Sequence, residues 1–303
     1  NEEALYKVCF WTDFTGRNEE GIRLHMEILE DHPYSELAWF NLGAAYQGLK
    51  LYEKAIDAYQ YAIAIEEKFD YAYRNMGDAL IRLRRYKEAL EALERVTELT
   101  KPEDVIFEAM GFCYERLKQP AQARSHYRKA VHLRPEDSRL HYKIATTYHT
   151  EGQWERAIRQ LDAAMKLFPS QPDYNRLAGE CHTRLGQWQQ AIDHLAIVVK
   201  ARPKTAASWD ALIQCLFAAG AHTEAEVQAR HAWLATGEKP VFLFYQSAAC
   251  FASGQTMNGL RLLEQAMEAA PKQLKRFMEV FPEALQHPAL VDLLARFKRR
   301  RSF

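Results

Sequence analysis

The chain has 303 residues, 48% of them hydrophobic and 26% charged, and its 40 basic and 40 acidic side chains give a formal net charge of zero. That balance supplies no basic stripe for a nucleic-acid partner, and no apolar run is long enough to cross a bilayer. Five cysteines (Cys9, Cys113, Cys181, Cys215 and Cys250) include no Cys-x-x-Cys pair and no zinc-like cluster with histidine, so they read as reduced core thiols of a cytoplasmic protein, with no metal or cofactor expected.

The sequence repeats every 34 residues without slipping. Ala55, Ala89, Ala123, Ala157, Ala191 and Ala225 follow one another at that spacing, as do Ala62, Val96, Ala130, Ala164, Val198, Ala232 and Ala266. Pro33, Pro135, Pro169, Pro203 and Pro271 form a third series, with Glu67, Lys101 and Gly237 in the intervening slots. A fixed period in this range means stacked supersecondary units, none able to bury its apolar face alone.

With the first alanine series at position 20, eight units start near residues 2, 36, 70, 104, 138, 172, 206 and 240 and together span residues 2–273. Each reads as two amphipathic helices. In the second unit these cover residues 37–46 and 52–63, with apolar residues at three- and four-residue spacing. Position 15 holds Gly16, Gly152, Gly186, Gly220 and Gly254, suited to a left-handed residue that ends the first helix. Lys50, Arg84 and Lys118 take that slot in three units, predicting strain or another turn geometry there. Small residues at position 8 (Gly43, Gly77, Gly111, Ala145, Gly179) allow close helix approach. Trp39, Tyr73, Phe107 and Trp209 at position 4 and Tyr46, Tyr114 and Tyr148 at position 11 fill the space beside them.

The pattern Trp39, Leu42-Gly43, Tyr46, Ala55, Tyr59, Ala62 resembles the tetratricopeptide repeat, whose period is 34 residues. The outer units depart most: Cys9, Thr12 and Gly21 in the first, Ser247, Cys250 and Gly259 in the last. The resemblance implies an all-α, right-handed superhelical solenoid whose first helices line a concave groove. Residues 274–303 leave the repeat and read as capping helices, 274–281 and 289–301, the latter with Leu290, Leu293, Leu294 and Phe297 on one face, ending in a basic tail. Lys298-Arg299-Arg300-Arg301 reads as a helix C-terminus favoured by the macrodipole.

Catalytic signatures are absent from the sequence, so no enzyme is expected. Gly43 and Gly48 have phosphate-loop spacing, but Leu49-Lys50 replaces the required Lys-Ser/Thr and the segment is helical. His141 and His149 stand eight residues apart on one helix, roughly 12 Å, too far to share a metal. A protein-binding scaffold is the expected role. The alternative is a regulatory or targeting region of a longer protein, since the chain opens on Asn1 and an effector domain or leader can precede it.

The resemblance implies that groove-facing slots fall mainly at positions 2, 5, 6, 9, 12 and 13. They offer Phe40, Asn41, Arg74, Asn75, Arg82, Phe112, Arg116, Arg139, Tyr142, Lys143 and Arg176 to a peptide, with Tyr6, Phe10 and Phe14 at the near end. From Arg74 to Arg184 these slots hold seven basic residues against five acidic ones, which favours an acidic segment. The competing reading is that Arg74–Asp78 and Arg176–Glu180 neutralise each other at i,i+4 spacing. Phe217, Phe244, Tyr245 and Phe251 form an apolar end patch, open to a ligand, covered by the C-terminal segment, or covered by a second copy in a homodimer. No three consecutive units carry the Lys, Asn and Arg pattern with which chaperone-binding members grip a C-terminal carboxylate: Phe40 and Ala44 precede Asn75, and Val105 and Ala109 follow it.

Overall fold

The computed structural model describes residues 17–101 and 103–301, and within them the chain is all-α. The first unit of the repeat is represented by its second helix, α1 (Asn18–Asp31). Hairpins follow: α2 (Glu36–Gly48) with α3 (Tyr52–Ile65), α4 (Asp70–Arg82) with α5 (Tyr86–Leu99), and α6 (Asp104–Arg116) with α7 (Pro120–Leu133). Next come α8 (Ser138–Thr150), α9 (Trp154–Leu167), α10 (Pro172–Arg184), α11 (Trp188–Ala201), α12 (Ala206–Ala218) and α13 (His222–Ala235). The chain closes with α14 (Val241–Ala252), α15 (Thr256–Ala269), α16 (Leu274–Val280) and α17 (Pro288–Arg301), with short 3-10 turns at Pro271–Gln273 and Pro282–Gln286.

Helix starts keep the period of the sequence. Asn18, Tyr52, Tyr86, Pro120, Trp154, Trp188, His222 and Thr256 are successive starts 34 residues apart, and so are Glu36, Asp70, Asp104, Ser138, Pro172 and Ala206. Helix α14 begins at Val241, one residue late, after a linker in which Gly237 and Glu238 are both left-handed, with φ of 76° and 60°. Two compact units divide between Glu151 and Gly152. In the first, α1 to α8 pack each against the next; in the second, α9 to α15 do the same, and α16 and α17 add contacts to α14 and α15 respectively.

One turn geometry recurs. The amide of the residue after position 15 donates to a carbonyl five residues back, as in Leu51 to Tyr46 (2.9 Å), Arg85 to Leu80 (2.9 Å), Gln119 to Tyr114 (2.9 Å) and Gln187 to His182 (2.9 Å). This Schellman closure requires a left-handed residue. Gly186, Gly220 and Gly254 supply it with φ of 69–77°; Lys50, Arg84 and Lys118 are held at 61°, 62° and 59°. The three non-glycine turns therefore keep the common geometry and carry strain, because an L side chain in that region crowds its own backbone.

Position 8 shows why the small residues recur. A Cβ at Gly43 would lie 2.6 Å from the Tyr59 ring, and one at Gly111 the same distance from the Tyr127 ring. Beside Gly77 and Gly179 the facing residues are Leu93 and Leu195, nearest at 3.0 and 2.8 Å. The linker prolines have a second role. Trp39, His141, Asn175 and Trp209, all at position 4, donate to the carbonyls of Pro33, Pro135, Pro169 and Pro203 at 2.9, 3.2, 2.7 and 2.7 Å. These carbonyls lie just past a helix end, where backbone acceptors lack intrahelical partners. Where the linker slot is Glu67, Lys101 or Gly237, position 4 holds Tyr73, Phe107 or Leu243 instead.

Candidate functional site

At 100° per residue, positions 5, 6, 9, 12 and 13 lie on one face of each first helix, and positions 4, 7 and 11 on the opposite face, against the second helices. In the compact unit that ends at Glu151 the open face is wired across neighbouring hairpins. Gln47 donates to Asp78 at 2.9 Å and accepts from the Tyr59 hydroxyl at 2.9 Å. Phe40 is half-buried between Tyr59 and Phe69, with ring centroids 5.8 and 5.0 Å away.

The predicted cations are unequal. Arg74 pairs with Glu103 at 3.5 Å rather than with Asp78, which faces Gln47 and, at 3.9 Å, Arg82. Lys143 reaches back to Glu108 at 3.2 Å, with its ammonium 5.8 and 5.4 Å from the Phe112 and Tyr127 ring centres. Arg139 makes two bonds, of 3.1 and 2.8 Å, to Asp137, and these hold the Asp137 carboxyl below its usual range. Two of the predicted cations within residues 36–151 stay loosely held. Arg82, 61% exposed, has Asp78 only at 3.9 Å. Arg116 is exposed and meets no carboxylate among the described residues: its Nε donates to the Tyr86 hydroxyl at 3.2 Å and its guanidinium lies over that ring at 5.9 Å. Half-buried Phe112 packs edge-on against the same Tyr86, 6.1 Å between centroids. Asn75 and Tyr142 are half-buried beside this face.

Asn41 departs from expectation: it is 3% exposed and not open to a ligand. Position 6 turns toward the preceding first helix, as the Lys143–Glu108 pair shows. Tyr6, Phe10 and Phe14 lie outside the described residues. In the compact unit that begins at Gly152, Arg176 pairs with Glu180 at 2.5 Å, the i,i+4 neutralisation anticipated as the competing reading.

The apolar end patch is covered. Phe217, Phe244, Tyr245 and Phe251 are 8, 0, 0 and 7% exposed. Phe251 packs against Phe277 (6.0 Å), Phe281 (5.8 Å) and His287 (5.3 Å) of the C-terminal segment, which buries Phe277, Leu290 and Leu293 in the same cluster. Tyr245 donates its hydroxyl to Asp210, and burial, followed by that carboxylate, pushes its ionisation up. The chain's own C-terminal helices thus take the place a ligand or second copy would occupy.

Sequence reasoning missed a cleft on the opposite face of α2. Helices α1, α2 and α3 border an open cleft of about 400 Å³ lined by Met26, Leu29, Leu42, Ala58 and the rings of Trp39, Tyr46 and Tyr61. The signal was present in Tyr61, an aromatic at position 26, but its meaning depends on which helix lies opposite. No described helix is long and apolar enough to cross a membrane, and no group of three or more His, Cys, Asp or Glu among the described residues is arranged to hold a metal.

Three family models match the sequence: tetratricopeptide repeat models over residues 37–69 and 151–214, and the Psidin N-terminal TPR repeats region over 76–178. Among solved structures, the C-terminal part of a TPR repeat-containing protein from Cytophaga hutchinsonii is similar with a TM-score of 0.66 at 14% identity, over 84% of this chain and 99% of its own. YrrB, a TPR protein with an unusual peptide-binding site, gives 0.55 at 20% identity over 61% and 95%. PilF of Pseudomonas aeruginosa gives 0.54 at 19% over 67% and 93%. These identities speak for the fold alone, and no curated protein matches the sequence significantly. With the 34-residue register and its helix hairpins, the matches show that the chain belongs to the tetratricopeptide repeat family.

Proposed function

We propose that the chain is a protein-binding scaffold that takes an acidic, partly apolar segment of another protein on the first-helix face of residues 36–151. Tetratricopeptide repeat proteins generally bind other proteins, and stacked units offer a continuous face for an extended or helical segment. The observation that carries the reading is Arg116, an exposed guanidinium with no carboxylate partner among the described residues, beside half-buried Phe112. Arginine and aromatic side chains anchor interfaces because one residue supplies both apolar area and directed donors. Arg82 adds a second loosely paired cation.

Charge reversal at Lys143 tests this poorly, since a carboxylate there would face Glu108 and disturb the fold itself. Reversal at the loosely held cations is the cleaner perturbation. Tagged wild type and an Arg82→Glu/Arg116→Glu variant are compared by affinity purification with quantitative mass spectrometry. The proposal expects a defined set of proteins carrying acidic segments to be lost with the variant while its thermal melt is unchanged. Recovery of the same proteins in the same amounts refutes it.

A further inference from the structure

We propose that the cleft between α1 and α3 is a second, independent docking site, one that takes a basic peptide segment with an apolar anchor. It lies on the face of α2 opposite the first-helix groove, because Trp39, Leu42 and Tyr46 stand at positions 4, 7 and 11. The cavity of about 400 Å³ is within the range of sites that seat ligand-sized groups. Its mouth is apolar and accessible, with Met26 51% and Tyr61 56% exposed.

The rim sets the charge of the occupant. Glu30 and Asp57 line the cleft, both exposed, and neither makes an ion pair or hydrogen bond with a described residue. The one ammonium there, Lys54, lies over the Tyr46 ring at 5.6 Å, so the rim keeps an excess negative charge while showing that a cation sits well against its aromatic wall. The next two hairpins use their own cations at the equivalent place. Arg95 lies 5.9 Å over Tyr73 and pairs with Glu67 and Glu98, and Lys129 lies 5.3 Å over Phe107. Position 26 of the α2–α3 hairpin instead holds Tyr61, stacked on Trp39 at 4.4 Å and 23°. The cation that its successors carry within the chain is missing here, and its carboxylates are left for a partner's Lys or Arg.

The test is fluorescence anisotropy with the full chain and a panel of labelled hexapeptides in which Leu, Met, Phe or Trp stands between two arginines, against the same anchors between two glutamates. At least one arginine-flanked peptide is expected to bind and none of the glutamate-flanked ones. Glu30→Lys/Asp57→Lys should weaken binding at least tenfold with an unchanged thermal melt, Tyr61→Ala should weaken it separately, and Arg82→Glu/Arg116→Glu should leave it intact. The proposal is overturned if no arginine-flanked peptide binds, if flank charge makes no difference, or if the double reversal binds as wild type. It is also overturned if light scattering finds a dimer that Tyr61→Ala dissolves, since a second copy is then the occupant.

Discussion

Replacing Gly111 by alanine tests the packing logic of the whole stack. A Cβ there would lie 2.6 Å from both Cδ1 and Cε1 of Tyr127 and 3.1 Å from its Cγ, whereas carbon atoms attract best at about 3.5–4.0 Å. The ring has no easy retreat: Tyr127 is fully buried and its hydroxyl donates to Glu115 at 2.8 Å. Overpacking of this kind costs about 1–3 kcal/mol, and alanine recovers about 1 kcal/mol of helix propensity over glycine. Gly111→Ala should thus destabilise the chain by up to about 2 kcal/mol. At Gly77 the neighbour is Leu93, at 3.0 and 3.1 Å, a branched aliphatic end that can shift. Gly77→Ala is therefore expected to be nearly neutral. Guanidinium unfolding followed by circular dichroism measures both, and a double-mutant cycle with Tyr127→Leu isolates the contact. The leucine, like Leu161 in the unit whose position 8 is already Ala145, should accept the new methyl group, so the double variant should be more stable than the two single losses imply. Equal stability of Gly111→Ala and Gly77→Ala, or strict additivity in the cycle, refutes this account of the position 8 glycines.

Glycine at Lys50, Arg84 or Lys118 should stabilise the fold by up to about 1 kcal/mol each, the left-handed strain relieved less the entropy that glycine adds to the unfolded chain; a fall in melting temperature in all three refutes the strain. His25, 1% exposed, has its pKa pushed down to about 4 by burial. Its contribution to stability is thus complete above about pH 6.5 and declines as pH falls toward 4, by about 2 kcal/mol at pH 5. His25→Leu, which puts in that slot the residue found at Leu93, Leu161 and Leu195, should remove this part of the acid sensitivity, as unfolding curves at pH 7.5 and 5 will show. Cys113 and Cys181 are buried, and burial pushes both thiols up to about 12. They should react with a disulfide reagent at pH 8 only after denaturant is added, and rapid labelling of the native chain would contradict their placement.

Much of the molecule was legible in the sequence because each unit solves the same local problem. Periodic alanines mark where two helix backbones approach, position 15 marks the left-handed turn, and the observed helix starts keep the 34-residue period from Asn18 to Thr256. Even the pairing of linker proline with a donor at position 4 is written there, visible as Pro33 with Trp39 and Pro203 with Trp209 against Lys101 with Phe107. Burial of the end patch was among the readings the sequence left open, and the partners of Phe251 decided it in favour of the C-terminal segment.

The sequence by itself determined the all-α hairpins, their register and the small residues that let them stack, since these depend on contacts within a unit or between adjacent units at constant spacing. Only the tertiary structure decided which charges remain available. Arg74, Lys143 and Arg176 look alike on a helical wheel, yet each is held by a carboxylate of the chain, while Arg116 meets a tyrosine and no carboxylate among the described residues. Side-chain reach across neighbouring helices sets that difference, and a one-dimensional repeat does not encode it. The same holds for the cleft beside α2, whose three rings come from sequence slots 4, 11 and 26 and become one surface only when α1 is laid against them.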